Sequence, residues 1–344
     1  MKRLIYLATA LLALPACATE QDIPAGWTME DASFFPADRT LTHAEDGVVL
    51  PDGRLLVGDY EHGLVTLSPD GAKAAFGDMA AAGFEGGTPN GISWEPDLRH
   101  ILLADVATGA IYRADTVSEE ISRIYQHPFG VNAAIRDSTG AIWFTQSAMN
   151  APGENAGRLG QAVSSSLHEG ALYRLAPEQV GDLEAEAELK IGELDFANGL
   201  VVDEARGAIF VNEFQANRVL GFDVDIANGE LGDVRVVADI TTPDNLELDG
   251  DGLLWAVSLI GNKVVTIDPD SGEQRTVFAP TAQTGPAKEA EWRRMIAEGE
   301  NPFSLFGPDL TGPMPGFITG IILSDDGGPV YVSGLGDALV RLER

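Results

Sequence analysis

The sequence predicts an all-β fold, a six-bladed β-propeller with a short helical insertion between blades five and six. Three observations support this prediction: short apolar runs recur along the chain, turns rich in Asp and Gly separate them, and helical signals are scarce. Such runs and turns are typical of antiparallel hairpins. A repeat of roughly 40–50 residues with up to four strands per unit is typical of a β-propeller.

Each repeat begins with a polar residue at the head of its first apolar run. We call these six positions the head residues: Glu45, Asn90, Asn132, Asn198, Asp244 and Thr319. The first run is followed by a turn with Asp or Gly, a second run, a polar turn and a third run. The sixth unit needs a strand from elsewhere to complete it, and we expect residues 26–35 to supply that strand. Residues 26–344 are therefore expected to form one domain.

Two insertions lengthen the repeat. Residues 146–170 lie between the second and third runs of unit three, and residues 280–316 join unit five to unit six. Both are expected on the face where the innermost strands begin, and long loops on one face of a rigid scaffold commonly carry function. Residues 286–299 predict a helix. Large apolar residues of this region form either an apolar lid or the packing of that helix on the propeller: Trp292, Met295, Phe303, Phe306 and Phe317.

The N-terminal segment predicts export rather than fold. A basic start, a short apolar run and the motif LPAC occupy residues 1–17, typical of a bacterial signal peptide ending in a lipidated Cys17. Residues 18–25 would be a linker. We expect a cell-envelope lipoprotein, with plain secretion to the periplasm as the alternative. Cys17 is the only cysteine, which excludes an intrachain disulfide.

The charge of the chain limits its partners. The formal net charge is −31 at pH 7, whereas binding to phosphate backbones needs clustered Lys and Arg. We therefore expect no nucleic-acid partner, and contact with a membrane only through a lipid anchor at Cys17. A small molecule is the expected ligand, and a monomer the expected state.

The head residues are expected to converge at one site. Innermost strands line the central channel of a propeller, so the residues at their starts should meet at one mouth. Carboxylate and amide oxygens are the ligands that Ca²⁺ prefers. The lack of His and Cys among the head residues disfavours zinc and copper. The alternative is that Asn-Gly and Asp-Gly here are ordinary turn residues.

The motifs EDG, PNGIS, FANGL and PDNL, within residues 40–344, resemble the superfamily that joins the senescence-marker-protein/gluconolactonase lactonases with the paraoxonases. This resemblance implies Ca²⁺ at the top of the channel, with Zn²⁺, Mg²⁺ or Mn²⁺ as alternatives. By position it implies these metal ligands: Glu45, Asn132, Asn198, Asp244 and Asn245. It implies that Asn90 orients the substrate, where the paraoxonase branch has a His. Asp46 is similar to a ligand of the paraoxonases' second calcium, but Ala133 replaces its partner acid.

These observations predict a calcium-dependent hydrolase that opens a lactone or cleaves a related ester. Asp244 is the expected general base, because the resemblance implies it and no head residue is a His. His43 and His127 are alternative bases. Gln146 and Glu213 end second runs on the entrance side, so we expect them to contact the substrate.

Two other classes of function remain open. One is a non-catalytic envelope propeller that binds a ligand or a protein, since one fold hosts many functions. The other resembles the strictosidine synthases, which carry out a condensation without a metal, although Glu45 and Asp244 argue against it. A serine hydrolase is disfavoured, because the G-x-S-x-G motif does not occur in the sequence.

Overall fold

The computed structural model describes residues 26–86, 89–153, 155–280, 285–324 and 327–344. The predicted signal peptide and linker, residues 1–25, lie outside the described residues. The described chain forms six four-stranded antiparallel sheets, which are the six predicted blades.

In each blade the innermost strand comes first below. Blades one to three contain β2 (Gly47–Val49), β3 (Leu55–Asp59), β4 (Gly63–Leu67) and β5 (Lys73–Ala75); β6 (Gly91–Trp94), β7 (His100–Ala104), β8 (Ala110–Asp115) and β9 (Ile121–Gln126); β10 (Ala134–Arg136), β11 (Ile142–Gln146), β12 (Gly170–Leu175) and β13 (Glu188–Leu194). Blades four to six contain β14 (Ala197–Asp203), β15 (Ala208–Glu213), β16 (Arg218–Asp225) and β17 (Glu230–Asp239); β18 (Pro243–Leu248), β19 (Leu254–Ser258), β20 (Lys263–Ile267) and β21 (Gln274–Phe278); β22 (Ile318–Ile322), β23 (Val330–Gly334), β24 (Leu339–Leu342) and β1 (Ala32–Phe35).

The N-terminal strand completes blade six, as the sequence predicts. Strand β1 pairs antiparallel with β24, with Phe35 opposite Leu339. Just before it, the indole Nε1 of Trp27 donates to the carbonyl oxygen of Glu343 at 3.0 Å, and the Trp27 backbone N donates to Val277 in blade five. The first described residues therefore tie blade five to blade six and close the ring of blades.

The core lies between neighbouring blades. Apolar side chains of adjacent sheets pack face to face, as between blades one and two and between blades four and five. Trp143 and Trp255 are almost fully buried, and each indole donates to the Asp of its own hairpin turn, Asp137 at 2.9 Å and Asp249 at 2.7 Å. This bond satisfies the one polar atom of each ring. The repeated Asp turn therefore both shapes the hairpin and supports a buried aromatic residue.

Three α-helices occur in the described residues, all in the two insertions: α1 (Asn155–Ser164), α2 (Gly285–Glu298) and α3 (Pro308–Thr311). Helix α2 confirms the helix predicted over 286–299. Helix α1 was not predicted, although Leu159, Ala162 and Val163 have helical spacing and pack into one apolar cluster. No helix in the described part of the chain is long and apolar enough to cross a membrane.

Candidate functional site

The head residues stand at the starts of the innermost strands, not in turns. Asn198 lies within β14 and Asp244 within β18, while Asn90 directly precedes β6. The turn interpretation of these residues is therefore wrong, and the glycines that follow them have another cause. A Cβ atom at Gly91 would lie 2.7 Å from the Asn132 carbonyl oxygen, and neither Gly91 nor Gly199 has a positive φ. Glycine is needed there because neighbouring innermost strands approach too closely for a side chain.

Two amide–carboxylate pairs join neighbouring blades at this level. Asn90 Nδ2 donates to Glu45 Oε2 at 2.7 Å, which links blade two to blade one. Asn198 Nδ2 donates to Asp244 Oδ1 at 2.7 Å, which links blade four to blade five. The head residues thus include two carboxylates, each held by one amide and each left with a further oxygen.

Several of these side chains are buried with unused polar atoms. Asn132, Asn198, Asp244 and Asn245 are all buried, whereas Glu45 is half-buried. Asn198 Oδ1 and Asn245 Nδ2 have no hydrogen-bond partner among the described residues. A buried acceptor without a partner is costly, so Asn198 Oδ1 marks a position where an electron-pair acceptor would be stabilised.

The carboxylates lack compensating positive charge. Burial raises the pKa of Glu45 to about 7, with the Asn90 bond lowering it in part. Burial and then the Glu45 charge raise the pKa of Asp244 well above its usual range. In the described part of the chain, no Lys, Arg or His forms an ion pair with either acid. The donor set of carboxylate and amide oxygens therefore fits a hard divalent cation in both ligand chemistry and charge.

Asp46 differs from the head residues in its bonding. Its Oδ1 accepts from the Gly47 backbone N at 2.8 Å, and its Oδ2 accepts from the Ile92 backbone N at 2.7 Å. Burial raises its pKa to about 8, against the effect of these two bonds. Because both oxygens are occupied and Ala133 offers no carboxylate, the structure gives little support to a second calcium at this position.

The second strands brace the head residues, which sequence reasoning missed. Thr145 Oγ1 donates to the Asn198 carbonyl oxygen at 2.7 Å, and Ser333 Oγ donates to that of Glu45 at 2.7 Å. Asn212 Nδ2 donates to the Asp244 carbonyl oxygen at 2.6 Å. Each bond runs from one blade to the head of the next. The available signal was one polar residue at the same position of an apolar second strand: IWFTQ, AIFVNE and VYVSG.

The predicted substrate-contacting residues have their polar atoms occupied. Gln146 Oε1 accepts from His127 Nε2 at 2.9 Å, and its Nε2 donates to the Glu169 carbonyl oxygen at 2.7 Å. Glu213 accepts from the Asp195 backbone N at 2.9 Å and pairs with Arg218 at 2.5 Å. Both side chains are buried. Substrate contact by either residue stays a prediction that requires these bonds to be exchanged.

The two alternative bases differ in their surroundings. His127 is buried among the rings of Tyr125, Phe144 and Tyr173, and burial lowers its pKa to about 4. His43 is exposed, has a φ of 54°, and its ring lies edge-on to Tyr60. No described hydrogen bond connects either imidazole with Glu45 or Asp244. The structure therefore favours neither over Asp244 as the base.

The two insertions pack together beside the head residues. We call helix α1 and residues 285–316 the cap. Trp292 and Met295 pack with Phe196 and Phe214 of blade four, and Trp292 Nε1 donates to Asn217 Oδ1 at 3.1 Å. Phe196 lies two residues before Asn198. The side chain of Phe303 is 44% exposed, so the cap combines anchoring residues with an exposed apolar one.

Two further groups of acids with a histidine lie close enough to hold a cation: Asp59, Glu61 and His62; Glu95, Asp97 and His100. Both have a structural explanation. Asp59 Oδ1 accepts backbone bonds from its own hairpin turn, and Glu95 accepts from Arg113 and Arg136. The head residues lack such compensation, which makes them the stronger candidate for a metal site.

Comparison with known proteins places the chain in a family. The sequence model of the SMP-30/gluconolactonase/LRE-like region matches residues 123–287. Human regucalcin is 23% identical over 230 residues, which cover 56% of this chain and 75% of regucalcin.

The solved structures support the fold. A gluconolactonase from Xanthomonas campestris superposes with a TM-score of 0.61 at 18% identity, covering 89% of this chain and 87% of that chain. A chain of a nidogen/laminin complex superposes with a TM-score of 0.52 at 14% identity, covering 70% of this chain and 81% of that one. At such identities these structures establish the fold alone. Together with the sequence matches and the repeat, they identify the chain as a member of the SMP-30/gluconolactonase/LRE-like family.

Proposed function

We propose that the chain is a divalent-cation-dependent hydrolase that opens a lactone or a related carboxylic ester at the head residues. One observation carries this proposal: Glu45 and Asp244 are acids without a cationic partner in the described chain, beside the orphaned Asn198 Oδ1. The likeness to regucalcin and to a gluconolactonase supports the reaction class.

Five residues would hold the cation: Glu45, Asn132, Asn198, Asp244 and Asn245. Their oxygens suit Ca²⁺, which takes six to eight hard ligands in flexible geometry. When bound, such a cation supplies Lewis-acid polarisation of a carbonyl group and acidifies water. The two carboxylates balance its charge, and the amides add ligands without adding repulsion.

Asp244 is the proposed general base. Its Oδ1 is held by the Asn198 amide, which fixes the plane of the carboxylate and leaves Oδ2 to accept a proton from water. A raised pKa makes this carboxylate a better proton acceptor near neutral pH than an exposed Asp. Asn90 is the proposed substrate-orienting residue, because its bond to Glu45 fixes its amide beside the same site.

The cap bears on the substrate class. Its apolar side chains lie against Phe196, close in sequence to Asn198, and they exclude water from that side of the site. We infer that a lactone or ester with an apolar group is preferred over a free sugar lactone. Cellular location follows from residues 1–17, and we propose an envelope lipoprotein. A Cys17→Ala variant should then leave the membrane fraction, and its retention there would contradict lipid anchoring.

A second candidate function is ligand or protein binding without turnover. The likeness to a chain of a nidogen/laminin complex favours it, since a similar propeller occurs in a protein–protein assembly. Turnover distinguishes the two candidates.

The test is a panel of sugar lactones, acyl-homoserine lactones and aryl esters, assayed with and without a chelator. We expect hydrolysis of at least one apolar member, abolished by the chelator and restored by Ca²⁺ or another divalent ion. Hydrolysis that is insensitive to the chelator would overturn the cation dependence. No turnover of any member would favour the binding protein.

A further inference from the structure

The channel beneath the head residues is a separate cavity. Its volume is about 660 Å³, and the innermost strands of all six blades line it. Asp46 and Asn245 lie at its upper end, next to the head residues, and Leu98 lies in a loop at the opposite end. Ligand pockets typically have volumes of about 300–1,000 Å³, so the space suits a small organic molecule.

The walls of this channel are mainly apolar and reachable by solvent. Trp94, Ile135, Val202, Leu248 and Leu323 line the cavity and are half-buried, although they lie on the innermost strands of a tightly packed fold. At the opposite end, Leu98 is 63% exposed. A molecule that covered these side chains would gain free energy from the apolar surface removed from water.

One acid in the channel has no partner. Glu247 lines the cavity, and its carboxylate makes no hydrogen bond or ion pair with any described residue. Asp46, which lies nearby, is different because the backbone N–H groups of Gly47 and Ile92 satisfy its oxygens. The lining residues include no Lys, Arg or His. A carboxylate between apolar walls is costly without a cationic partner, and the protein supplies none here.

We propose that the channel binds an organic ammonium ion with an apolar body. The ammonium group would pair with Glu247, and the apolar body would cover Trp94, Val202 and Leu248. An anionic ligand is disfavoured by Glu247 and Asp46. A bare metal ion is disfavoured because a single free carboxylate among apolar side chains offers too few oxygen ligands. This site uses neither Asp244 nor Glu45, so it does not rest on the proposed hydrolysis.

Octylammonium is a suitable probe, with octanol as its neutral counterpart and octanoate as its anionic one. Binding is measured by isothermal titration calorimetry on the mature chain at saturating Ca²⁺, with Trp fluorescence as a second readout. We expect octylammonium to bind at least tenfold more tightly than octanol, and octanoate to bind more weakly than both. Equal affinities for octylammonium and octanol, or no binding of either, would overturn the proposal.

Three variants locate the site. Glu247→Gln should weaken octylammonium binding about tenfold and leave octanol binding unchanged, whereas Glu230→Gln, on the exposed edge strand β17, should change neither. Val202→Trp fills the cavity and should weaken both ligands. An unchanged octylammonium affinity in Glu247→Gln, at an unchanged melting temperature, would overturn the proposal. Displacement of octylammonium by added Ca²⁺ that depends on Glu247 would also overturn it, since the occupant would then be an inorganic cation.

Asp244→Asn separates this proposal from the hydrolytic one. This variant should lose hydrolysis and keep octylammonium binding. Loss of both properties in a folded Asp244→Asn protein would show that the channel does not bind independently of the head residues, and would overturn the separate site.

Discussion

Asn198 donates a 2.7 Å hydrogen bond from Nδ2 to Oδ1 of Asp244, across the boundary between blades four and five. This bond orients both side chains at once. It turns Asn198 Oδ1 away from Asp244, where it remains buried and without a partner among the described residues. It also leaves one Asp244 oxygen free, in a place where burial and Glu45 raise the pKa.

Asp244→Asn should reduce lactone hydrolysis by about 10²–10⁴-fold, because general-base catalysis contributes factors of that size. The amide cannot accept the proton from water, yet it has nearly the shape of the carboxylate. The measurement is kcat/KM together with a thermal melt. Asp223→Asn, at an exposed position on β16, is the matched control and should have wild-type activity. Full activity in Asp244→Asn would reject its role as base.

The stability of the metal-free protein should fall as pH rises from 6.5 to 8. Glu45 and Asp46 have folded-state pKa values of about 7 and 8, above those of the unfolded chain. The folded state therefore binds more protons, and its stability decreases with rising pH up to the folded pKa values, by about 1–2 kcal/mol over this window. His127 acts with the opposite sign, but only between its folded pKa of about 4 and its unfolded value near 6.5.

Urea denaturation of chelated protein at pH 6.5 and 8 measures this effect. Glu45→Gln should reduce the pH dependence, and saturating Ca²⁺ should remove or reverse it, since the cation stabilises the ionised carboxylates. Stability of the chelated protein that rises over the same window would contradict the described burial of these acids.

Thr145→Val should destabilise the site without touching a proposed ligand side chain. The change removes the hydroxyl that donates to the Asn198 carbonyl oxygen and leaves that buried oxygen unsatisfied, at a cost of about 1–3 kcal/mol. We expect a lower melting temperature and weaker Ca²⁺ binding. Thr145→Ser retains the donor and should restore the Ca²⁺ affinity. Equal affinities in the Val and Ser variants would show that the brace has no effect on the site.

Trp292→Ala should loosen the cap, because it removes a fully buried ring that packs on Phe214 and donates to Asn217. The rate of hydrolysis of an apolar lactone should fall relative to that of a sugar lactone by about tenfold, the value of roughly 1.4 kcal/mol of lost apolar contact. Trp292→Phe keeps most of the packing and should lie between the two. A ratio unchanged in Trp292→Ala would separate the cap from substrate choice.

The repeat made the fold predictable, since apolar runs and turns appear at a regular spacing from Glu45 to Thr319. Strand β1 was predictable for a similar reason, because the sixth unit lacked a strand and residues 26–35 could provide one. Helix α1 was missed because its apolar residues are few and pack against the other insertion, a contact between distant parts of the chain.

The candidate site was only partly predictable. Alignment of the repeats brings Glu45 and Asp244 to equivalent positions, but it contains nothing about which side chains bond to each other. The Asn198–Asp244 bond, the bracing by Thr145 and the unpartnered Glu247 depend on the geometry between neighbouring blades. The occupied state of Gln146 likewise depends on His127, which comes from a different strand of the chain.

Calcium titration of the chelated protein at pH 8 by isothermal titration calorimetry tests the central claim most directly, with the Glu45→Gln/Asp244→Asn double variant beside the wild type. The account predicts binding of one ion per chain to the wild type, with proton release, and at least 100-fold weaker binding to the folded double variant. Equal calcium binding by both proteins would contradict the assignment of the head residues as the metal site.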